Sequence, residues 1–116
     1  MMRTVWLELA RCPEFPEGSA THGYELQMPL TPGGKIDREF WAKHHPRSGF
    51  RRFWAGEEET GELRHGHEGW KLAFAGGIGQ DEVIFRAEDH RFAVGEYVSI
   101  KERDGVTRTF HIAAID

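Results

Sequence analysis

No stretch of this chain keeps a 3.6-residue hydrophobic period for three full turns, while fourteen glycines and five prolines cut it into short runs rich in aromatic and β-branched residues. Long amphipathic helices are therefore excluded as the main architecture, and antiparallel strands joined by tight turns are what remains. At 116 residues the chain is the size of one domain, and we expect residues 1–116 to form a single β-rich unit. The expected fold is mainly β: a small antiparallel open barrel or two-layer sandwich of about seven strands with one short helix.

Individual runs support this. Val5, Leu7 and Leu9 alternate against Thr4, Glu8 and Ala10, and Tyr24, Leu26, Met28 and Leu30 alternate against Glu25, Gln27 and Pro29. The two runs are expected to pair as a long-looped hairpin, with Pro29 at an edge or a strand end because it has no N–H to donate. Asp37 is an N-cap for a helix of about two turns that ends before Pro46. Arg51 to Glu57 and Trp70 to Ala75 read as strands, with Glu57, Glu58 and Glu59 in a solvated turn. Leu63, His65 and His67 share one parity while Trp70, Leu72 and Phe74 share the other, which calls for either a bulge near Gly66 or Gly69 or two shorter strands.

Phe92, Val94, Val98 and Ile100 keep even parity, and Val106, Phe110 and Ile112 follow the turn Arg103-Asp104-Gly105. A three-residue loop with Gly105 in the left-handed conformation sets Val98 opposite Phe110 and Tyr97 opposite His111. A two-residue loop would set Val98 beside His111. The hydrophobic pattern selects the first register.

Charge and cysteine usage bound the function. The net charge of −4 is too acidic for a protein coated all over by nucleic acid, so any basic surface is local. The single cysteine, Cys12, permits no intrachain disulfide and no cysteine-based zinc cluster. With Glu8 and Arg11 interrupting the first apolar run and no membrane-spanning stretch, a cytoplasmic location without membrane association is expected.

Phe40 to Trp54 contains four cations, five aromatics and no acid. Guanidinium forks pair with phosphate oxygens and aromatic faces stack on bases. Lys43, Arg47, Arg51, Arg52 and Trp54 are thus the candidate ligand-binding residues, for an anionic small molecule, a nucleic acid or a protein partner. The alternative for the same stretch is that Phe40, Trp41, Phe53 and Trp54 close one barrel end while the cations balance the acids at 57 to 62. A non-enzymatic binding protein that needs no cofactor is the leading expectation.

A second constellation is His65 and His67, which would share one face of a strand and, with His90, could ligate a metal in a small metal-dependent enzyme. The His-x-His pair resembles that of cupins, but the positions of their usual glutamate hold Lys71 and Leu72. Gly76-Gly77-Ile78-Gly79 is followed by acids and no helix signal, which argues for a hairpin loop over a phosphate loop. Finally, Val94 to Ile100 followed by Arg108-Thr109-Phe110 resembles, over about 20 residues, the strand pair of flavin-reductase barrels. It departs from their motifs at Glu96 and at Phe110-His111. Those barrels carry a Gly-Gln-Tyr-Val strand and an Arg-x-Tyr-Ser flavin-binding motif, and this chain leaves no room for a nicotinamide domain.

Overall fold

The computed structural model describes residues 2–44, 48–77 and 81–116. Eight strands follow one another around a closed antiparallel barrel: β1 (Met2–Leu9), β2 (Ser19–Pro29), β3 (Gly49–Trp54), β4 (Glu57–Gly66), β5 (Gly69–Phe74), β6 (Glu82–Ile84), β7 (Tyr97–Lys101) and β8 (Thr107–Ile115). One α-helix among the described residues, α1 (Arg38–His44), lies between β2 and β3. The mainly β barrel with one short helix is thus the observed architecture. It is closed where an open barrel or a sandwich was expected, because β8 pairs with β1 from Val5↔Ile115 to Leu9↔Phe110, with a register shift between Trp6 and Leu7.

An eight-stranded barrel is just wide enough to be filled by its own side chains. Val5, Leu7, Leu9, Tyr24, Leu26, Met28, Leu72, Ile100, Phe110 and Ile112 fill it, all at most 1% exposed. Turns after odd-numbered strands lie at one end and turns after even-numbered strands at the other, which gives the barrel two chemically distinct ends.

The even end is covered by α1. Asp37 accepts a hydrogen bond from Phe40 N (3.1 Å) as the N-cap of α1, and Trp41 sets its ring edge-on to Trp70 (5.1 Å) while its indole N–H donates to Leu63 O (3.1 Å). His45 and Pro46, where the helix is expected to stop, lie outside the described residues. Trp41 and Trp54 sit at opposite ends of the barrel, so the expected four-ring closure of one end is not formed. No helix among the described residues is long and apolar enough to cross a membrane.

The β3–β4 turn differs from expectation, whereas the separation of β4 from β5 is one of the two arrangements expected. Glu57, Glu58 and Glu59 are not a turn but the start of β4, paired with Trp54, Phe53 and Arg52. The chain reverses instead at Ala55 and Gly56, both with positive φ (51° and 93°), a two-residue hairpin turn in which alanine is uncommon. β4 and β5 are two strands joined at His67-Glu68, with Gly66 opposite Gly69 and Gly69 at φ 97°. Val94 and Val106, expected on the core face, are exposed, Val94 because residues 85–96 leave the wall after β6 and rejoin it only at Tyr97, and Val106 because it belongs to the turn that precedes β8. The β1–β2 hairpin and the β7–β8 register hold: Val98 faces Phe110, Tyr97 faces His111, and Gly105 has φ 83°.

Tight packing predicts one sensitive position. A Cβ on Gly61 would stand 2.0 Å from Ala73 O and 2.6 Å from the Phe50 ring. Gly61→Ala should destabilise the barrel by about 2–3 kcal/mol, read as a lower urea midpoint with an unchanged slope.

Candidate functional site

At the odd end of the barrel, the inward-facing rows of β2, β3, β6, β7 and β8 run on into polar or charged residues. Arg52 and Trp54 follow Phe50, His22 precedes Tyr24, Glu82 precedes Ile84, Glu102 follows Ile100, and Arg108 precedes Phe110. Residues two apart share a face of a strand, so all of these converge on the barrel axis.

Glu102 lies at the centre. Its Oε2 accepts from Arg52 Nε (3.1 Å) and pairs with Arg52 Nη2 (3.0 Å), while its Oε1 accepts from Arg108 Nη1 (2.8 Å). Tyr24 Oη touches both Glu102 Oε2 and Glu82 Oε1, the latter at 2.6 Å. A phenol has one proton to donate, so two acceptor-only carboxylates cannot both be satisfied by it. Burial, partly opposed by hydrogen bonds from Tyr24 and Arg103 N, pushes Glu82 above the usual carboxylate range. Two guanidiniums meet the charge of Glu102. The phenol therefore donates to one of the two carboxyl groups at a time, and burial makes Glu82 the one that takes up a proton more readily than an ordinary carboxylate. Burial and then the two carboxyl groups push the Tyr24 phenol well above its ordinary value.

Aromatic faces support the cations. The Arg52 guanidinium lies 4.1 Å and that of Arg108 5.5 Å from the Trp54 ring centre, and Arg103 lies 3.7 Å from that of Phe74. Toward solvent, the partners are exposed carboxylates. Glu59 takes Arg103, and Glu14 (3.1 Å) and Asp104 (3.0 Å) take Arg108. The Arg103 hydrogen bond holds Glu59 below the usual carboxylate range, and a hydrogen bond from Val106 N does the same for Asp104. The β1–β2 connection folds over this end, with Phe15 against His22 (4.5 Å) and His22 edge-on to Trp54 (4.5 Å). Burial lowers the His22 pKa, and its Nδ1 lies 2.6 Å from Ser19 Oγ.

The candidate residues from sequence do not form one surface. Arg51 and Arg52 are neighbours on β3 and point to opposite faces. Arg51 is on the outer wall, paired with Glu25 (2.9 Å) and Glu58 (3.2 Å) and lying between the rings of Trp6 and Phe53. Lys43 is exposed on α1 at the other end, and Arg47 lies outside the described residues. Arg52 and Trp54 are brought together. The balance of cations against the acids of β4 is seen in the pairs Arg51–Glu58 and Arg52–Glu59.

The histidines do not converge either. His65 faces inward at the even end, edge-on to Trp70 (4.7 Å) and paired with Glu88. His67 lies beyond the end of β4, in the turn, so the shared strand face expected for the two does not exist. His90 packs edge-on to Phe92 (4.8 Å), and burial lowers its pKa. Among the described residues, no group of three or more His, Cys, Asp or Glu side chains is placed to hold a metal ion. Arg108, which the flavin-reductase resemblance would direct to a flavin, is engaged by Glu14, Glu102 and Asp104.

Glu82, Glu102 and Arg103 are site members that sequence reasoning passed over, and Arg108 entered it only through the flavin-reductase resemblance. The available signal was parity, since Glu102 and Arg108 fall in phase with the apolar residues of β7 and β8. No family model, curated protein or solved structure matches this chain.

The raised pKa of Glu82 has a definite sign. Folding favours its protonated form, so its contribution is complete below the unfolded value of 4.5 and is lost as pH rises through the folded value. Glu82→Gln keeps a neutral donor at this position. The urea midpoint of the parent protein should fall between about pH 5 and about pH 8 by more than that of the variant.

Proposed function

We propose that this chain is a non-enzymatic cytoplasmic binding protein that takes a small anionic group, a carboxylate or phosphate, at the odd end of the barrel on Arg103 and Arg108, with Arg52 and Trp54 behind them. The observation that carries this reading is the asymmetry of partners around the guanidiniums. On the inner side they are anchored by buried Glu102 and Glu82; on the outer side they meet only the exposed carboxylates Glu14, Glu59 and Asp104.

Exposed ion pairs contribute roughly 0–1 kcal/mol each, so a ligand oxygen can replace such a partner at small cost. The inner anchors meanwhile keep the forks oriented, which spares a ligand the entropy of ordering them. A free small molecule, a nucleic acid or a protein partner could present the group. A cytoplasmic setting is supported by Cys12, the one cysteine in the chain. The metal-dependent reading is not carried forward, because His65, His67 and His90 lie apart.

The test uses inorganic phosphate and citrate as probes in titration calorimetry at low salt. Glu59→Gln removes a competing carboxylate and should tighten binding about threefold, while Arg103→Ala should weaken it about tenfold. Failure of both probes to bind at about 10 mM, or indifference to both substitutions, overturns the proposal.

A further inference from the structure

The outer wall of the barrel carries a second concavity, independent of the arginines. It arises where β1 and β2 lose register: Glu8 faces Gly23, but Leu9 faces Ser19, so Ala20, Thr21 and His22 are extra residues on β2. Such a bulge bends the strand away from its partner. The connection beyond it folds back close to the sheet, and Gly18 at φ 77° has no room for a side chain, since a Cβ there would stand 2.8 Å from Leu9 O. Between this connection and the wall of β8 and β7 lies a groove of about 750 Å³, within the ~300–1,000 Å³ of small-molecule sites.

Its lining has a particular chemistry. Across the strands, Tyr97 faces His111 and His111 faces Glu8, with His111 Nε2 3.6 Å from Glu8 Oε1. Tyr97 is 61% exposed, so one aromatic face lies open in the groove. Arg11 and Glu17 stand on the opposite wall. Two carboxylates against one guanidinium leave little net field, which selects against a strongly charged ligand. What these groups offer is hydrogen bonding of both senses: carboxylates accept, the guanidinium donates, and imidazole does both when neutral. Ring hydroxyls, each donor and acceptor at once, match that set, and the C–H face of a sugar ring is the natural partner for an open aromatic face.

We infer that this groove binds a neutral polyhydroxylated ligand, an oligosaccharide, with Tyr97 as the stacking platform and Glu8, His111 and Arg11 as the hydrogen-bonding groups. Its openness makes the affinity modest, with a Kd of about 1 mM.

Cellopentaose, maltopentaose and laminaripentaose are suitable probes, followed through the amide resonances of the intact protein. At least one should shift Tyr97, Thr109 and His111. Tyr97→Ala should weaken binding at least tenfold, Tyr97→Phe should retain most of it, and Arg103→Ala should leave it unchanged. The inference is overturned if none of the three shifts the groove at about 10 mM, if Tyr97→Ala binds like the parent, or if the shifts gather at Arg103 and Arg108. Because the phosphate and citrate titration reads the inner arginines alone, either site can fail without the other.

Discussion

Closure of β8 onto β1 is the constraint on which everything else in this molecule rests. Once Leu9 and Phe110 are opposite one another, no strand has a free edge, and every inward side chain must fit a space of fixed width. Aliphatic and aromatic residues fill the middle. The long polar side chains at the odd end have nowhere to go except toward one another, so Arg52, Glu102, Arg108, Tyr24 and Glu82 form a network. An open sheet would have let the same residues turn out to solvent.

The cost of that network shapes what it is for. Buried ion pairs gain little over an apolar filling of the same volume, because desolvation offsets their attraction, whereas loss of one partner costs about 3–5 kcal/mol. Hydrophobic residues would have closed this end as well, much as Trp41 and Trp70 close the other. Holding guanidiniums in fixed orientation beneath a mouth of weakly paired surface carboxylates is something an apolar plug cannot do. That difference, more than the number of charges, distinguishes the two ends.

Much of the fold was legible in the chain. Alternation in β1 and β2, the N-cap at Asp37 and the phase of β7 against β8 fixed the pairings correctly, because each rests on a period of two or on a side-chain hydrogen bond within a few residues. Ala55 hid the β3–β4 turn, since nothing local marks an alanine for positive φ; the acids of β4 consequently looked like a loop. Closure was illegible, as the contact of residue 5 with residue 115 depends on curvature accumulated over eight strands. The candidate site was half legible. Arg52 and Trp54 stood out by composition, but composition cannot separate neighbours such as Arg51 and Arg52 that alternate between faces. Parity could have done so, and would have added Glu102 and Arg108.

The same alternation lets so small a wall present two chemically different faces. Along β8, Arg108, Phe110 and Ile112 point inward while Thr109 and His111 point outward, and along β7 Ile100 and Val98 are buried while Tyr97 is open. Adjacent residues therefore serve different chemistry without touching each other. The inner row is charged, fixed and nearly dry; the outer row is hydrogen-bonding and open. The connection between β1 and β2 sends Glu14 to Arg108 and Arg11 and Glu17 to the groove. The connection therefore borders both faces, as β8 does.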